Sequence, residues 1–209
     1  MGVSTASYPA GVAIVTNYEG ASPAAELHSS AADMKLSMLD LPRLVAHWSS
    51  HGIDLPSGAT EEEIRQFESR HNVVLPADMR FYFQAVNGMG KRGVMDEDMF
   101  SFWRIQDVIS VADELPDRTR DYPNTRCYFM FADHSISLPT YAIRLSSNAT
   151  ENTPVASVLS DFGAFGIGDL FASFTEFVTN YLADPYGRCQ TIPEALVPAT
   201  SVKPWWQFW

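Results

Sequence analysis

The stretch that decides the fold is residues 60–88, TEEEIRQFESRHNVVLPADMRFYFQAVNG, which carries two helix signatures separated by a Leu-Pro step. Thr60 is followed three residues later by Glu63, and in such a capping box each side chain accepts from the other residue's backbone N–H. Ile64 and Phe67 then repeat at a spacing that places both on one face of a helix. The pattern predicts a first helix that starts at Thr60.

The second helix signature starts at Pro76, whose fixed φ and missing N–H suit the first position of a helix. Asp78 complements the positive end of the helix dipole in the first turn. Asn87 and Gly88 are residues that adopt the left-handed conformation closing a helix C-terminus. We therefore predict a second helix that runs up to this pair.

The flanking segments predict helices on both sides of a group of strands. An Asp cap at Asp40 and an amphipathic repeat predict a helix ending at Gly52, and a short helix is predicted over residues 107–114. Runs of strand-forming residues, three of them separated by polar hairpin loops that favour antiparallel pairing, cover residues 99–105, 127–132, 140–145 and 155–159.

The last predicted element is a helix whose apolar stripe extends from Leu170 to Leu182. The glycines before it, at positions 163, 166 and 168, indicate a flexible approach. Its stripe requires a cover, and the face of the preceding sheet supplies one. We predict a single α+β domain in which a mainly antiparallel sheet packs against N-terminal helices and a C-terminal helix.

The predicted domain covers residues 38–185. Residues 1–37 are rich in Ala, Ser, Thr and Gly and are expected to form a flexible leader, because such a segment buries little apolar surface. Residues 186–209 form a Pro-punctuated tail ending in WWQFW, which we expect to dock against the domain, because a free aromatic tail lowers solubility.

Composition narrows the function classes. The 209-residue chain has a net charge of −11 and only 14 Lys and Arg, which argues against a duplex-binding surface. The acidic surface serves solubility alone or attracts a basic partner. Cys127 and Cys189 form neither a zinc pattern nor a disulfide framework and indicate a reducing compartment. With no membrane span and no secretory signal in the sequence, we expect a cytoplasmic protein.

The motifs that resemble chemical sites have simpler interpretations. Residues 88–93 satisfy G-x-G-x-x-G, but a helix precedes them where a dinucleotide site needs a strand. Residues 161–163 read Asp-Phe-Gly without the other parts of a kinase. His47 and His51 are spaced as i and i+4, yet the sequence nominates no third metal ligand. We expect no catalytic residues, no cofactor and no metal, and hence a binding protein.

Trp103 is the most interesting single residue because a Trp at a strand end either fills the core or forms the floor of a binding cleft. The acidic triplet before it offers a carboxylate-rich edge to a basic protein. The candidate contact residues are Asp96, Glu97, Asp98, Trp103, Arg104 and Asp133.

The ordered combination of motifs from about residue 39 to residue 182 resembles the SMI1/KNR4 domain of the SUKH superfamily. The residues that carry this resemblance are Gly58, Ile64, Phe67, Glu68, Leu75, Pro76, Asp78, Arg80, Asn87, Gly88, Phe102 and Trp103. For a bacterial member the resemblance implies an immunity protein that binds and neutralises a cognate toxin, often a nuclease. For a fungal member it implies a regulatory scaffold in cell-wall or signalling control. A third alternative, a small-molecule-binding or enzymatic domain, would use the cleft around Trp103.

Overall fold

The computed structural model describes residues 39–120, 122–135, 139–148, 153–161, 164–187 and 189, which belong to one compact unit of the chain. The predicted leader and residues 190–209 of the predicted tail lie outside these described residues. The α-helices are α1 (Leu41–Ser50), α2 (Glu61–His71), α3 (Ala77–Ala85), α4 (Val111–Glu114), α5 (Pro116–Thr119) and α6 (Phe174–Ala183). The strands are β1 (Phe100–Phe102), β2 (Ile109–Ser110), β3 (Tyr128–His134), β4 (Thr140–Arg144), β5 (Val155–Asp161) and β6 (Ala164–Phe171).

The six strands form one antiparallel sheet in the order β1, β3, β4, β5, β6, with β2 pairing further along the same edge of β3. Two 3-10 turns, Ile105–Asp107 and Pro123–Cys127, lead into β2 and β3. Every pairing between neighbouring strands is antiparallel. From β3 to β6 the successive strands are joined by direct loops, which are too short for a parallel crossover. The predicted α+β class with a mainly antiparallel sheet is confirmed.

The two faces of the sheet have different covers. Side chains alternate along β4, so that Tyr141 and Ile143 belong to the main core while Ala142 belongs to a second, smaller cluster. The main core lies between the sheet and helices α1, α2, α3 and α6 and is rich in aromatic rings. The smaller cluster, around Trp103 and Val111, lies on the opposite face.

Local capping explains where two of the core helices begin. The Glu63 backbone N–H donates to Thr60 Oγ1 at 3.2 Å, and the Thr60 N–H donates to Glu63 Oε2 at 2.7 Å, which completes the predicted capping box. In α6 the Glu176 N–H donates to Ser173 Oγ at 3.0 Å. Each bond satisfies an N–H that a helix start otherwise leaves without a partner.

The expectation of a flexible approach to the last helix is wrong for the glycines at 166 and 168. Both lie inside β6, where Gly166 pairs with Leu159 and Gly168 pairs with Ser157. The ladder formed with β5 overrides the weak strand propensity of glycine. Leu170 consequently ends up near the end of β6, while α6 begins only at Phe174.

The predicted short helix over residues 107–114 is also wrong for its first half. A 3-10 turn ends at Asp107, β2 follows, and only Val111–Glu114 is helical. Pairing of Ile109 with Met130 of β3 competes successfully with helix formation there. The helix predicted up to Asn87 and Gly88 ends earlier, at Ala85.

His71 at the end of α2 predicts a pH dependence of stability. Its ring packs against Phe67 and Phe129 at centroid distances of 4.9 and 5.2 Å, and desolvation followed by the charge of Arg70 lowers its pKa. Since the unfolded chain then binds the proton more readily, the neutral ring stabilises the fold above the ordinary histidine pKa, and this contribution is lost as the pH falls. We expect the free energy of unfolding to decrease between about pH 7.5 and about pH 5.5, and to decrease less in His71→Gln.

Urea denaturation at the two pH values measures this difference directly. An equal decrease in wild type and His71→Gln would contradict the assignment, because it would place the proton uptake on other groups.

Candidate partner-binding surface

The family-like motif residues are used inside the domain. Glu68 accepts the Leu75 N–H at 2.8 Å and the Arg80 guanidinium at 2.6 Å, which joins α2 to the Leu-Pro step and α3. Asp78 accepts from the Thr175 N–H and hydroxyl at 3.0 and 2.9 Å and so joins α3 to α6. These residues therefore support the scaffold and leave partner contacts to other positions.

The loop between α3 and β1, residues 89–99, is tied to β1 at both ends. The Met89 N–H donates to the Phe102 carbonyl at 2.8 Å, and the Asp96 N–H donates to the Phe100 carbonyl at 3.0 Å. Between these bonds the chain turns through Gly90 and Gly93, both with positive φ. The loop is held at its base and exposed at its tip.

Asp96, the first residue of the acidic triplet, is directed into the core. Its side chain is fully buried, and it accepts from the Phe100 N–H at 2.8 Å and from the Tyr181 hydroxyl. Tyr181 in turn accepts from the Trp48 indole at 2.9 Å. Asp96 therefore joins the turn before β1 to α1 and α6 beneath the surface.

The next residues form an exposed surface that we call the edge patch, defined as Glu97, Asp98, Met99, Ser135 and Tyr186. Met99 and Tyr186 are 45% and 57% exposed and are two of the large hydrophobic side chains at the surface of the described residues. The Ser135 N–H donates to the Met99 carbonyl at 3.0 Å, and the Tyr186 hydroxyl bonds to Asp98. The patch thus combines exposed apolar area with two carboxylates.

Backbone conformation also distinguishes the edge patch. Met99 and Ser135 have φ values of 64° and 50°, and among the described residues the other non-glycine residue with positive φ is Asn72. Asn72 closes α2, an ordinary place for this conformation. Left-handed Met and Ser residues cost about 1 kcal/mol or more and concentrate at functional sites.

Trp103 lies on the face of the sheet opposite the main core, in the smaller apolar cluster. It is only 1% exposed, its indole donates to Asp133 Oδ2 at 3.1 Å, and the Arg92 guanidinium carbon lies 3.9 Å from its ring centre. Arg92 also pairs with Glu114 at 2.8 Å and so links the loop to α4 above the Trp ring. Trp103 and Asp133 thus satisfy each other inside the domain.

A cavity of about 100 Å³ lies beside Trp103 and is lined by Arg92, Trp103, Glu114, Leu115, Met130, Thr140, Val158 and Ser160. Ligand pockets for small organic molecules are typically about 300–1,000 Å³. The cavity is therefore too small for such a ligand while Arg92 and Glu114 remain paired.

Of the six predicted contact residues, the structure places Glu97 and Asp98 on the edge patch and Asp96 beneath it. Trp103 and Asp133 are together in the interior, and Arg104 pairs with Asp107 at 2.9 Å in a separate half-exposed position. Sequence reasoning missed Met99, Ser135 and Tyr186, because their proximity depends on contacts between distant parts of the chain.

Sequence reasoning also missed a third group next to His47 and His51. Asp98 brings a carboxylate to the two rings, and ligand atoms of these three residues lie within 4.8 Å of one another. Desolvation and the neighbouring His51 lower the pKa of His47, so its ring is mainly neutral near pH 7.

Comparison with known proteins identifies the family. The sequence model of the SMI1/KNR4 family (SUKH-1) matches residues 58–180, more than half of the chain. The chain belongs to the SMI1/KNR4 family. A search of curated protein sequences gave no significant match. None of the helices in the described part of this SMI1/KNR4 protein is both long and apolar enough to cross a membrane.

Proposed function

We propose that this SMI1/KNR4 protein is a cytoplasmic immunity protein that binds a basic toxin, in particular a nuclease, and neutralises it by direct contact. The family includes immunity proteins, which supports a role in binding rather than in catalysis. The net charge of −11 supports a basic partner, because opposite charge accelerates encounter.

The observation that carries the proposal is the composition of the edge patch. Met and Tyr are enriched in protein interfaces, where they supply large contact areas, and here both are exposed beside Glu97 and Asp98. The left-handed residues Met99 and Ser135 lie at the centre of the patch, and the bond from the Ser135 N–H to the Met99 carbonyl joins its two segments. The patch therefore combines an apolar anchor with carboxylates that can bind the basic groups with which a nuclease holds phosphate.

The remaining predicted contact residues have other roles in this proposal. Asp96 positions the turn that carries Glu97 and Asp98, and Trp103 with Asp133 stabilises the opposite face of the sheet. Arg104 lies outside the edge patch, and we propose no contact for it. The small cavity beside Trp103 disfavours the small-molecule alternative.

The test begins with the product of the neighbouring gene. We expect it to be a toxin whose growth inhibition is relieved by co-expression of this protein and which binds the purified protein. The double variant Glu97→Gln/Met99→Ala should raise the dissociation constant of the complex by a factor of at least about ten, because it removes one charge and one apolar anchor. Calorimetric titration at two salt concentrations should also show a weaker salt dependence.

A matched control is Asp117→Asn/Phe81→Ala, which removes an exposed carboxylate and an exposed large apolar side chain outside the edge patch. This variant should bind and protect like the wild type. Equal weakening by both double variants would argue against the edge patch. The absence of both protection and binding would argue against immunity and favour a regulatory scaffold.

A further inference from the structure

The end of α1 and the turn before β1 bring together two imidazoles and a carboxylate. His47 lies in the last turn of α1, His51 caps that helix, and Asp98 comes from the turn. The two rings have a centroid separation of 4.2 Å, and the His47 ring meets Tyr181 edge-on at 5.3 Å. Two histidines and one carboxylate are a donor set that suits divalent transition metals.

Two ring nitrogens in this group lack hydrogen bonds. His47 Nε2 and His51 Nδ1 are buried from solvent and have no hydrogen-bond partner among the described residues. A buried polar atom without a partner costs free energy, so such atoms are rare in folded proteins. A bound cation would satisfy both nitrogens at once.

We propose that His47 Nε2, His51 Nδ1 and a carboxylate oxygen of Asp98 bind a divalent transition-metal ion, with Zn²⁺ as the probe. This inference does not depend on the proposed function. The three ligands leave a fourth position for water.

The distances are compatible with such a site after small side-chain movements. Zinc lies about 2.0–2.2 Å from nitrogen and oxygen ligands, so ligand atoms in a tetrahedral site are about 3.4 Å apart. The three groups lie within 4.8 Å of one another, so each pair has to approach by at most about 1.4 Å. His51 lies one residue beyond the last residue of α1, and its backbone N–H is still bonded to that helix, so rotation of the side chains has to supply the approach.

The surroundings provide the outer contacts that metal sites require. The buried Asp96 carboxylate lies 4.0 Å from His47 Nε2, so its negative charge favours a cation there. The Tyr186 hydroxyl bonds to Asp98. Such partners orient the ligands and increase metal affinity.

The simpler alternative is a pair of histidines that stabilises the negative end of a helix. That role requires protonated rings, because a neutral imidazole interacts weakly with the helix dipole. The alternative also leaves the two buried nitrogens without partners.

The test uses untagged, full-length protein in a Cys127→Ser background, because a histidine tag and the half-buried Cys127 thiol would both bind zinc. After treatment with a chelator, titration calorimetry with Zn²⁺ near neutral pH should give one saturable site. His51→Gln should raise the zinc dissociation constant by a factor of at least about 100. Loss of an outer partner of a metal ligand already costs up to that factor, and this variant removes a ligand itself. Asp98 belongs to both the zinc site and the edge patch, but His51 lies outside the edge patch, so His51→Gln tests zinc binding without removing a residue of that patch.

The matched control is His71→Gln, which removes a half-buried histidine at the end of another helix and should leave zinc affinity unchanged. Long-range ¹H–¹⁵N spectra of the histidine rings should show zinc-induced shifts at His47 Nε2 and His51 Nδ1. Binding should disappear near pH 5.5, about a unit below the ordinary histidine pKa, because the ligands must be deprotonated.

Two results would overturn the proposal. The first is a failure of the wild-type protein to bind zinc in a saturable manner. The second is an affinity in His51→Gln equal to that of the wild type, with shifts at other rings, which would place the ion elsewhere. Circular dichroism of each variant separates loss of metal binding from loss of fold.

Discussion

Replacement of Gly88 by Ala is expected to decrease the free energy of unfolding by about 3 kcal/mol. Gly88 has a φ of 70°, and a Cβ there would lie 2.6 Å from the Phe102 carbonyl oxygen and 2.6 Å from the Trp103 carbonyl carbon. The substitution therefore adds the cost of a left-handed alanine to a clash with the backbone of β1 and the residue after it. Urea denaturation of the purified variant measures the loss.

Gly52 offers a control with nearly the same backbone conformation. Its φ is 73°, but nothing lies within 4 Å of a Cβ built on it. Gly52→Ala should therefore cost only about 1 kcal/mol, the strain of the conformation itself. Equal losses in the two variants would show that conformation alone, and not the close approach of β1, makes glycine necessary at position 88.

Replacement of Asp96 by Ala is expected to decrease stability by about 2–4 kcal/mol, because it leaves buried donors without an acceptor. The Phe100 N–H and the Tyr181 hydroxyl both donate to this carboxylate, which has no solvent exposure. Thermal and urea unfolding should both report the loss.

The neighbouring Glu97→Ala is the control, because Glu97 is exposed and lies one residue further along the same turn. It should change stability by no more than about 0.5 kcal/mol. A small effect of Asp96→Ala would contradict the structural role and would return Asp96 to the candidate contact residues. The two variants also distinguish two causes of lost toxin binding. Asp96→Ala reports loss through destabilisation of the fold, and Glu97→Ala reports loss through removal of a surface contact.

The parts of the fold that sequence reasoning predicted are those specified by local interactions. The capping box joins Thr60 and Glu63, which are only three positions apart, so it can be recognised without knowledge of the rest of the chain. The pairing of Gly166 and Gly168 with β5 was not predicted, because glycine content alone suggested a loop. The alternation of the apolar residues Phe165 and Ile167 with glycines was the available signal for this strand.

The candidate site was less predictable than the fold. Adjacent carboxylates in the sequence suggested a single acidic surface, yet the turn directs Asp96 into the core and leaves Glu97 exposed. Likewise, the spacing of His47 and His51 was visible, whereas Asp98 lies far along the chain. Proximity of this kind depends on how α1 packs beside the turn, which no local pattern reports.

The attachment of the loop at residues 89–99 has a consequence for which changes this chain can tolerate. Met89 and Asp96 both bond to β1, and the residues between them lie at or near the surface, with Arg92 over the Trp103 ring as their contact with the interior. The length and side-chain chemistry of that segment can change while the two bonds to β1 remain. The surface that this segment presents can therefore change without rearrangement of the sheet and helices beneath it.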